Sequence, residues 1–430
     1  MKLSKLFPQK LKNIYHLMQA ILANIIYSFP SRKIRIVGVT GTDGKTTTVQ
    51  MIAGILEEAR KEVSVASTIN FRMKGEESVN ETKFTTLSSF QVQKFIKKAV
   101  DKGCEYLVLE TSSHSLDQYR VWGIKYDIAV ITNVTREHLD YHKTMEGYRE
   151  VKRKLFDNVR VAIVNLDMEE PEEYLDCGAK NKIGYTTQMQ NENLKMQNNN
   201  LNFEIIKADD VELGANYSKY QIQNTKYQIQ LLGLFNIENA LAATCVGIAE
   251  GIDLKIIKNA LNKIKGIPGR IELIPNNKGF NIIVDFALTP NALQRLYELV
   301  QDIKGDKNTK IIAVFGACGE RDRGKRPITG GVVSKYADYI VLTDDEPYRE
   351  NPKKIIEEIA AGIKNKNEGE NFWNIPDRRE AIKKALLLAQ PDDFVVVTGM
   401  GSENTRAVGD KKIPWNDKEV ILEELEKKIK

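Results

Sequence analysis

The sequence predicts an α/β protein with two domains. The larger one has a mostly parallel sheet and a phosphate-binding loop, and the smaller one, at the C-terminal end, is Rossmann-like. Short β-rich runs alternate with helical stretches on both sides of a Gly-Ile-Pro-Gly break at residues 266–269. A glycine-rich turn separates the first such run from a helical pattern. The chain has 430 residues, more than one ordinary core accommodates. We therefore expect an N-terminal helical segment (1–32), a central domain (33–265) and a C-terminal domain (266–430).

The N-terminal segment carries a helical pattern from Lys10 to Phe29 with an apolar stripe. The mostly apolar run from Leu17 to Phe29 is too short to span a bilayer. No small-residue cleavage site follows it, which argues against a signal peptide. We expect this helix to dock on the central domain, with peripheral membrane contact as the alternative.

The central domain begins with a β-rich run at Lys33–Val39 and a helix at Lys45–Lys61, and further strands are expected at 106–109, 128–132 and 161–165. The Asn- and Gln-rich stretch from Gln188 to Gln230 predicts antiparallel hairpins appended to the sheet. One or two helices are expected within Asn236–Lys263. The C-terminal domain should place strands at 282–285, 311–315, 339–343 and 394–398.

The composition is that of a globular cytoplasmic enzyme. Hydrophobic residues make up 42% and charged residues 28% of the chain, and 63 basic residues against 58 acidic ones give a net charge of +5. So small an excess argues against a nucleic-acid-binding protein. The cysteines do not have zinc-ligand spacing, so we expect reduced structural thiols at four positions: Cys104, Cys177, Cys245 and Cys318.

The strongest motif is the run Gly38-Val39-Thr40-Gly41-Thr42-Asp43-Gly44-Lys45-Thr46-Thr47. Backbone N–H groups of such a loop point at phosphate oxygens, and the helix N-terminus adds positive potential. Lys45 would reach the outer phosphates and the Thr46 hydroxyl would bind magnesium. Val39 stands where the strict Walker pattern has glycine, so the loop is a variant. The alternative is a plain glycine-rich turn.

Two further loops carry polar side chains at the ends of predicted strands, where parallel sheets bind ligands. The first is Glu110-Thr111-Ser112-Ser113-His114, in which Glu110 is a suitable magnesium ligand, and Arg120 follows it as a possible anion contact. The second, residues 132–142, contains His138 and His142. Three of the four histidines lie in these loops, which favours a site, although isolated histidines are often structural.

These motifs together resemble the Mur ligases, and most closely the MurE branch. The resemblance extends over nearly the whole chain from position 33. It includes these further runs: Tyr148-Arg149-Glu150-Val151-Lys152, Asn236-Ile237-Glu238-Asn239-Ala240, Gly269-Arg270-Ile271-Glu272, Val284-Asp285-Phe286-Ala287, Phe315-Gly316-Ala317-Cys318-Gly319 and Asp377-Arg378-Arg379-Glu380.

The resemblance implies specific roles. It implies nucleotide binding by Gly41, Thr42, Asp43, Gly44, Lys45, Thr46, Thr47, Asn239, Arg270 and Asp285. It implies magnesium ligation by Thr46, Glu110, His138 and Lys152, with Lys152 carbamylated. Catalytic roles fall to Lys45, Lys152 and His138. Substrate contacts fall to Thr85, Thr86, Ser112, Ser113, Arg120, Asp345, Glu346, Tyr348 and Glu403.

The sequence departs from the MurE pattern mainly where substrates are read. The P-loop begins by Gly38, which leaves no room before it for the branch's uridine-binding domain. The family's Asp-Asn-Pro-Arg becomes Asp345-Glu346-Pro347-Tyr348, its Ala-His-Thr-Pro becomes Ala287-Leu288-Thr289-Pro290, and its Gly-Lys-Gly-His-Glu becomes Gly399-Met400-Gly401-Ser402-Glu403.

The resemblance thus implies a monomeric, ATP- and Mg²⁺-dependent ligase that activates a small-molecule carboxylate as an acyl phosphate and joins it to an amino acid. The acceptor is expected to be a muramyl peptide of peptidoglycan synthesis, without nucleic acid or firm membrane contact. One alternative is a related ligase with a folylpolyglutamate, cyanophycin-like or recycled muropeptide acceptor. The other is an ATP-binding subunit that needs a partner.

Overall fold

The computed structural model describes residues 9–82, 84–188, 203–214, 217–305 and 308–427. The chain forms two compact units. The first comprises the described residues up to Thr135 together with His142–Lys265. The second comprises Arg136–Tyr141 together with the described residues from Gly266 onwards.

The helices, in chain order, are α1 (Gln9–Ile26), α2 (Lys45–Glu58), α3 (Ser89–Asp101), α4 (Ser113–Asp117), α5 (Leu139–His142), α6 (Met145–Arg153), α7 (Glu172–Leu175), α8 (Leu234–Ala249), α9 (Leu254–Lys263), α10 (Pro290–Lys304), α11 (Lys325–Tyr336), α12 (Pro352–Ala360), α13 (Arg378–Leu388) and α14 (Asp417–Lys427). Short 3-10 helices occupy Pro30–Lys33 and Lys154–Phe156.

The strands of the first unit are β1 (Arg35–Thr40), β2 (Val63–Ala66), β3 (Asn70–Met73), β4 (Glu76–Val79), β5 (Tyr106–Glu110), β6 (Ile128–Ile131), β7 (Val161–Asn165), β8 (Asn181–Thr186), β9 (Glu204–Lys207), β10 (Asp209–Leu213), β11 (Ser218–Ile222) and β12 (Thr225–Ile229). Those of the second unit are β13 (Glu272–Leu273), β14 (Asn281–Asp285), β15 (Ile311–Phe315), β16 (Tyr339–Leu342), β17 (Phe372–Asn374), β18 (Phe394–Thr398), β19 (Thr405–Val408) and β20 (Lys411–Pro414).

The first unit is built on a nine-stranded sheet in the order β4-β3-β2-β5-β1-β6-β7-β8-β9. The strands from β2 to β9 in that order are parallel to their neighbours, and β3 and β4 add an antiparallel edge. Val39 of β1 pairs with Glu110 of β5, and Thr40 pairs with Ile131 of β6. The loops that follow these three central strands therefore meet at one edge of the sheet.

The expected helix after the glycine-rich loop is confirmed as α2, which begins directly after Gly44. Its Val49, Ile52 and Leu56 side chains are buried. The helices predicted within Asn236–Lys263 are confirmed, and they are α8 and α9. Because α8 is apolar nearly all round and buries most of its residues, it packs in the interior beside α2 rather than on the surface.

The hairpin prediction for Gln188–Gln230 is partly wrong. Strands β10, β11 and β12 do form a separate antiparallel sheet. However, β9 pairs in parallel with β8 and becomes the last strand of the large sheet. Period-2 alternation alone does not give the direction of a neighbouring strand, so the sequence could not distinguish the two arrangements. Residues 189–202 of this stretch lie outside the described residues.

The second unit has a six-stranded sheet in the order β13-β14-β18-β15-β16-β17. Only the β13–β14 pair is antiparallel. One apolar cluster includes Leu296 and Ile355, and another includes Ile382 and Ile421, so helices cover both faces of the sheet. The predicted α/β class, with a mostly parallel sheet in each unit, is confirmed.

The N-terminal helical pattern forms α1, but its large apolar side chains face solvent rather than the protein. The expectation that this helix docks on the central domain is confirmed, since Asn13 and Asn24 donate to Asp117 and Trp122, but the apolar stripe is not the docked face. No helix in the described part of the chain is long and apolar enough to cross a membrane. All four cysteines are free thiols.

Candidate phosphate and metal site

Two glycines shape the loop between β1 and α2. Gly44 has φ +80°, and a Cβ built on it would lie 2.3 Å from Asn239 Oδ1. Gly41 has φ +150°, and a Cβ there would lie 1.9 Å from Thr132 Oγ1. Any other residue would need both an unfavourable backbone conformation and displacement of these side chains. The loop therefore depends on glycine at both positions.

Side chains from the loop after β6 hold the glycine-rich loop in place. The Asp43 N–H donates to Asn133 Oδ1 at 2.9 Å, and the Thr132 hydroxyl donates to the Asp43 carbonyl at 2.6 Å. The Thr42 hydroxyl lies 3.2 Å from the Tyr148 hydroxyl. The loop is thus fixed in shape by neighbouring polar groups, as a preorganised anion site requires.

Two lysines converge on this loop. Lys45 Nζ donates to the carbonyls of Gly41 and Thr42 at 3.1 and 2.8 Å. Lys152, on α6, is fully buried, donates to the same Gly41 carbonyl at 2.7 Å, and lies 4.5 Å from the Tyr148 ring centroid. Burial and the charge of Lys45 hold the pKa of Lys152 well below its usual value, and Asp43 offsets part of this effect.

Glu110 ends β5 as a buried carboxylate surrounded by hydroxyl and amide groups. Thr46 Oγ1 donates to it at 3.1 Å, and the Thr68 N–H and hydroxyl donate at 2.7 and 2.9 Å. The carboxylate and the two hydroxyls are hard oxygen ligands beside the glycine-rich loop, and they fit Mg²⁺. Among the described residues, no three His, Cys, Asp or Glu side chains are placed so that together they could hold a metal ion.

The residues expected near the carboxylate substrate form a connected group next to Glu110. The Thr86 hydroxyl donates to the Glu110 carbonyl at 2.9 Å and accepts from the Ser112 N–H at 2.9 Å. Arg120 donates to the Thr86 carbonyl at 2.9 Å. Thr85, directly before Thr86, is half-buried. One cationic side chain is thus held beside the candidate metal site.

The histidines of the two loops divide between the units. His142 Nε2 lies 3.0 Å from Ser113 Oγ, and its ring centroid is 5.5 Å from that of His114. His138 belongs to the segment 136–141 of the second unit and has φ +57°. In that segment Glu137 forms an ion pair of 3.0 Å with Lys325.

The residues expected to bind the nucleotide are also distributed over both units. Asn239 lies beneath the loop in the first unit, where it accepts from the Thr48 hydroxyl at 3.2 Å. In the second unit Asp285 accepts from the N–H groups of Ile271 and Ala287, both at 2.7 Å. The Arg270 guanidinium lies 4.5 Å from the Phe286 ring centroid.

Asp345, after β16, lies in a fully buried charge cluster. Arg378 donates to it at 2.6 Å, but the same guanidinium makes two bonds to Asp417, at 2.8 and 2.6 Å. Burial raises the pKa of Asp345 to about 7, although Arg378 opposes the rise. The second Asp345 oxygen, Oδ2, makes no hydrogen bond to the described residues.

Two glycines allow Asp345 to approach so closely. A Cβ on Gly316 would lie 2.8 Å from Asp345 Oδ1, and one on Gly399 would lie 2.5 Å from Oδ2. The position of the carboxylate is therefore built into the loops after β15 and β18.

Glu346 and Tyr348 lie beside this cluster. Glu346 is nearly buried, accepts from the Ala407 N–H at 2.9 Å and accepts from the Tyr348 hydroxyl at 3.4 Å. Arg349 instead points to the surface, where it pairs with Asp410. Glu403 lies in the loop after β18, where its N–H donates to the Met400 carbonyl at 3.0 Å.

Several residues of these sites had no role assigned from the sequence. They are Thr68, Thr132, Asn133, Tyr148, Arg378 and Asp417. Thr68 follows β2, a parallel neighbour of β5, so the same strand-end rule that selected Glu110 could have selected it. Asp417 is 39 residues from Arg378, and no local pattern in the sequence connects the two.

Comparisons with known proteins show the family to which the chain belongs. Residues 39–247 match the family described as Mur ligase middle domain, and residues 269–401 match the Mur ligase glutamate ligase domain. The UDP-N-acetylmuramoyl-L-alanyl-D-glutamate–2,6-diaminopimelate ligase of Clostridium botulinum is 38% identical over 417 residues, which cover 95% of this chain and 81% of that protein.

Solved structures show the same relationship. The structure of a UDP-N-acetylmuramoyl-L-alanyl-D-glutamate–2,6-diaminopimelate ligase is 30% identical with a TM-score of 0.60, over 92% of this chain and 79% of that one. Mycobacterium tuberculosis folylpolyglutamate synthase shares the fold at 16% identity, with a TM-score of 0.67 over 89% and 92% of the two chains. The chain belongs to the Mur ligases, a family of ATP-dependent ligases that form carbon–nitrogen bonds.

Proposed function

We propose that this protein adds an amino acid to a muramyl peptide, as several similar proteins are named to do, and that it does so through an acyl phosphate. The observation that carries the proposal is the group formed by Lys45, Lys152 and Glu110 around the glycine-rich loop. Lys45 and Lys152 both donate hydrogen bonds to the Gly41 carbonyl, and Glu110 accepts a hydrogen bond from the Thr46 hydroxyl. A protein that only bound ATP would not need the buried lysine and the buried carboxylate together.

The first step of this reaction is phosphoryl transfer. A carboxylate oxygen of the acceptor attacks the γ-phosphorus of ATP, the bond to the β-phosphate oxygen breaks, and ADP leaves. Lys45 turns from the loop carbonyls to the phosphates and neutralises the charge that develops on them. Arg120, held by Thr86, orients the attacking carboxylate. Magnesium, held by Glu110 and Thr46, supplies further charge neutralisation when bound.

Lys152 contributes as a carbamate. Its lowered pKa favours the neutral amine, and the neutral amine is the form that attacks carbon dioxide. The new N–C bond forms with loss of a proton, so that the neutral amine becomes an anion. This anion would supply an oxygen ligand for magnesium and would attract the ammonium of Lys45.

The second step is amide formation. The amine attacks the acyl carbonyl, phosphate leaves and the amine loses a proton. We assign recognition of the incoming amino acid to Asp345, Glu346 and Tyr348 of the second unit. These residues offer carboxylate and phenol oxygens; Arg378 is bound by Asp345 and Asp417, and the Arg321 guanidinium lies 6.0 Å from the Tyr348 ring centroid. The group suits a substrate with a distal ammonium rather than a distal carboxylate.

ADP release tests the proposal directly. The purified chain is assayed with Mg-ATP, a panel of amino acids, and UDP-linked or UDP-free muramyl dipeptides. Turnover that requires both a muramyl dipeptide and an amino acid supports it. Turnover with a folate or a cyanophycin primer instead would assign another acceptor class, and no turnover with any pair would overturn the assignment.

The carbamate has its own test. Lys152→Ala should lose nearly all turnover, and added bicarbonate or a short carboxylic acid should restore part of it. The matched control is Lys154→Ala, two residues along on the exposed side. If Lys152→Ala turns over like the wild type, Lys152 is only a structural lysine.

A further inference from the structure

Helix α1 exposes its large apolar side chains. Of the 21 large apolar side chains that are exposed in the described part of the chain, eight lie on this one helix. Their spacing of three and four residues places most of them on one continuous stripe. The eight, which we call the α1 stripe, are Leu11, Ile14, Tyr15, Met18, Ile21, Leu22, Ile25 and Ile26, between 37% and 64% exposed.

The face of α1 that contacts the protein carries alanines and asparagines instead of large apolar side chains. Ala20, Ala23 and Asn24 are its buried residues. Asn24 Nδ2 donates to the Trp122 carbonyl at 2.9 Å, and Asn13 Nδ2 donates to Asp117 at 3.1 Å. An ordinary surface helix buries its apolar face and exposes its polar one. Here the polarity is reversed while the helix stays attached by specific hydrogen bonds.

Charge in the N-terminal sequence that contains α1 is of one sign, and the acidic group that contacts the helix, Asp117, belongs to α4 and accepts from Asn13. The first 42 residues contain seven Lys or Arg residues and no Asp or Glu, and Asp43 is the first acidic residue of the chain. A second copy of α1 packed on the stripe would bring lysines together with no acidic partner. Basic residues beside an exposed apolar stripe instead match the two components of an anionic lipid surface, its acyl chains and its headgroups.

We propose that α1 anchors this enzyme to an anionic membrane surface by lying in the plane of the interface. The stripe from Leu11 to Ile26 is about 22 Å long at 1.5 Å per residue, and it would insert among the acyl chains while the basic residues contact the headgroups. The hydrogen bonds of Asn13 and Asn24 would transmit this attachment to the first unit. The proposal adds a location to the ligase and does not depend on which acceptor or amine it uses.

Vesicle flotation with the full chain tests this. Wild-type protein should float with phosphatidylglycerol vesicles, bind phosphatidylcholine vesicles less, and dissociate as salt is raised, because the headgroup contribution is screened. The triple variant Ile14→Gln, Met18→Gln, Ile25→Gln should partition about tenfold or more weakly. A variant with glutamine in place of Lys2, Lys5, Lys10 and Lys12 should lose the preference for phosphatidylglycerol.

The matched control is the triple variant Val79→Gln, Leu213→Gln, Leu387→Gln. These three residues are also exposed and apolar but lie outside α1. The control should bind vesicles like the wild type. Thermal melting confirms that each variant is folded. Equal binding by the triple variant, or no binding of wild type to phosphatidylglycerol, would overturn the proposal. So would a dimer in analytical ultracentrifugation that the triple variant abolishes without any vesicle binding, since a second copy would then cover the stripe.

Discussion

Lys45 and Lys152 donate hydrogen bonds to a single acceptor, the carbonyl oxygen of Gly41, at 3.1 and 2.7 Å. Lys45 is half-buried in the loop, whereas Lys152 is fully buried behind it. Two ammonium groups that share one oxygen repel each other, and the more buried one has less water to stabilise its charge. The arrangement therefore explains why the lowered pKa belongs to Lys152.

The lowered pKa of Lys152 should appear in the pH dependence of stability. Between that lowered value and the usual value of 10.5 the unfolded chain binds more protons than the folded one. Stability of the wild type therefore rises with pH across this window. We expect Lys152→Met to be at least as stable as the wild type near neutral pH, with an advantage that shrinks as pH approaches 10.

Thermal melting in bicarbonate-free buffer measures this difference. Lys154→Met is the control, because Lys154 is exposed. The difference between its Tm and that of the wild type should stay constant over the same pH range. A Lys152→Met advantage that grows with pH would contradict the assignment of a lowered pKa.

Lys45→Ala should abolish ATP turnover without unfolding the protein. The side chain is half-buried, and it donates only to loop carbonyls that water can also satisfy. Loss of one preorganised cation at the phosphates should reduce kcat on the order of 100- to 1000-fold. The control is Lys61→Ala, which removes a lysine from an exposed pair with Glu105. Normal ADP release by Lys45→Ala would contradict the assignment of nucleotide binding to this loop.

Gly44 and Gly75 provide a matched pair for the cost of close packing in the loop. Both have φ +80°, so alanine should cause similar backbone strain at each. Only at Gly44 would the added Cβ clash with a neighbour, since it would lie 2.3 Å from Asn239 Oδ1. A Cβ on Gly75 would have nothing within 4 Å. We expect Gly44→Ala to lower Tm more than Gly75→Ala and to lose ATP binding. If the two variants changed Tm and ATP binding equally, Asn239 would move aside without a cost in stability.

The sequence predicts the sheet edge of the first unit well, because strand-end loops, glycines and a Lys-Thr pair are local signals. Glu110 and Lys45 are found from their own neighbours in the chain. Thr68 and the Arg378–Asp417 pair are not, since their partners are distant in sequence. The sequence pattern also does not predict which face of α1 contacts the protein. An apolar stripe indicates that a helix is amphipathic but not which face the protein buries.

Asp345 should destabilise the folded protein as pH rises. Its folded pKa of about 7 exceeds the usual 3.8, so the folded state binds more protons between these values. Stability from this group is complete below about pH 4 and is lost as pH rises towards 7. Asp345→Asn cannot titrate, so its Tm relative to wild type should increase from about pH 5 to about pH 8. Asp410→Asn, at an exposed pair with Arg349, should show no such trend. A constant or decreasing difference for Asp345→Asn would mean that Arg378 keeps Asp345 ionised throughout.

The last prediction concerns the amine. The resemblance implies an arginine at position 348 in diaminopimelate-specific enzymes, and here Tyr348 donates to Glu346 instead. Arg349 does not substitute for it, because it pairs with Asp410 at the surface. Glu346 adds a carboxylate where the family has a neutral asparagine, and Arg378 is bound by Asp345 and Asp417, so we expect the group to favour a distal ammonium over a distal carboxylate. We therefore expect a higher kcat/KM for lysine or ornithine than for meso-diaminopimelate.

A double substitution tests the cause of this preference. Glu346→Asn with Tyr348→Arg restores the family's residues and should shift the ratio of kcat/KM values towards diaminopimelate, about tenfold or more for one charged contact. Arg349→Ala is the control and should leave the ratio unchanged. If the wild type prefers diaminopimelate and Arg349→Ala abolishes that preference, Arg349 leaves Asp410 to read the substrate, and the alignment of this loop must move by one residue.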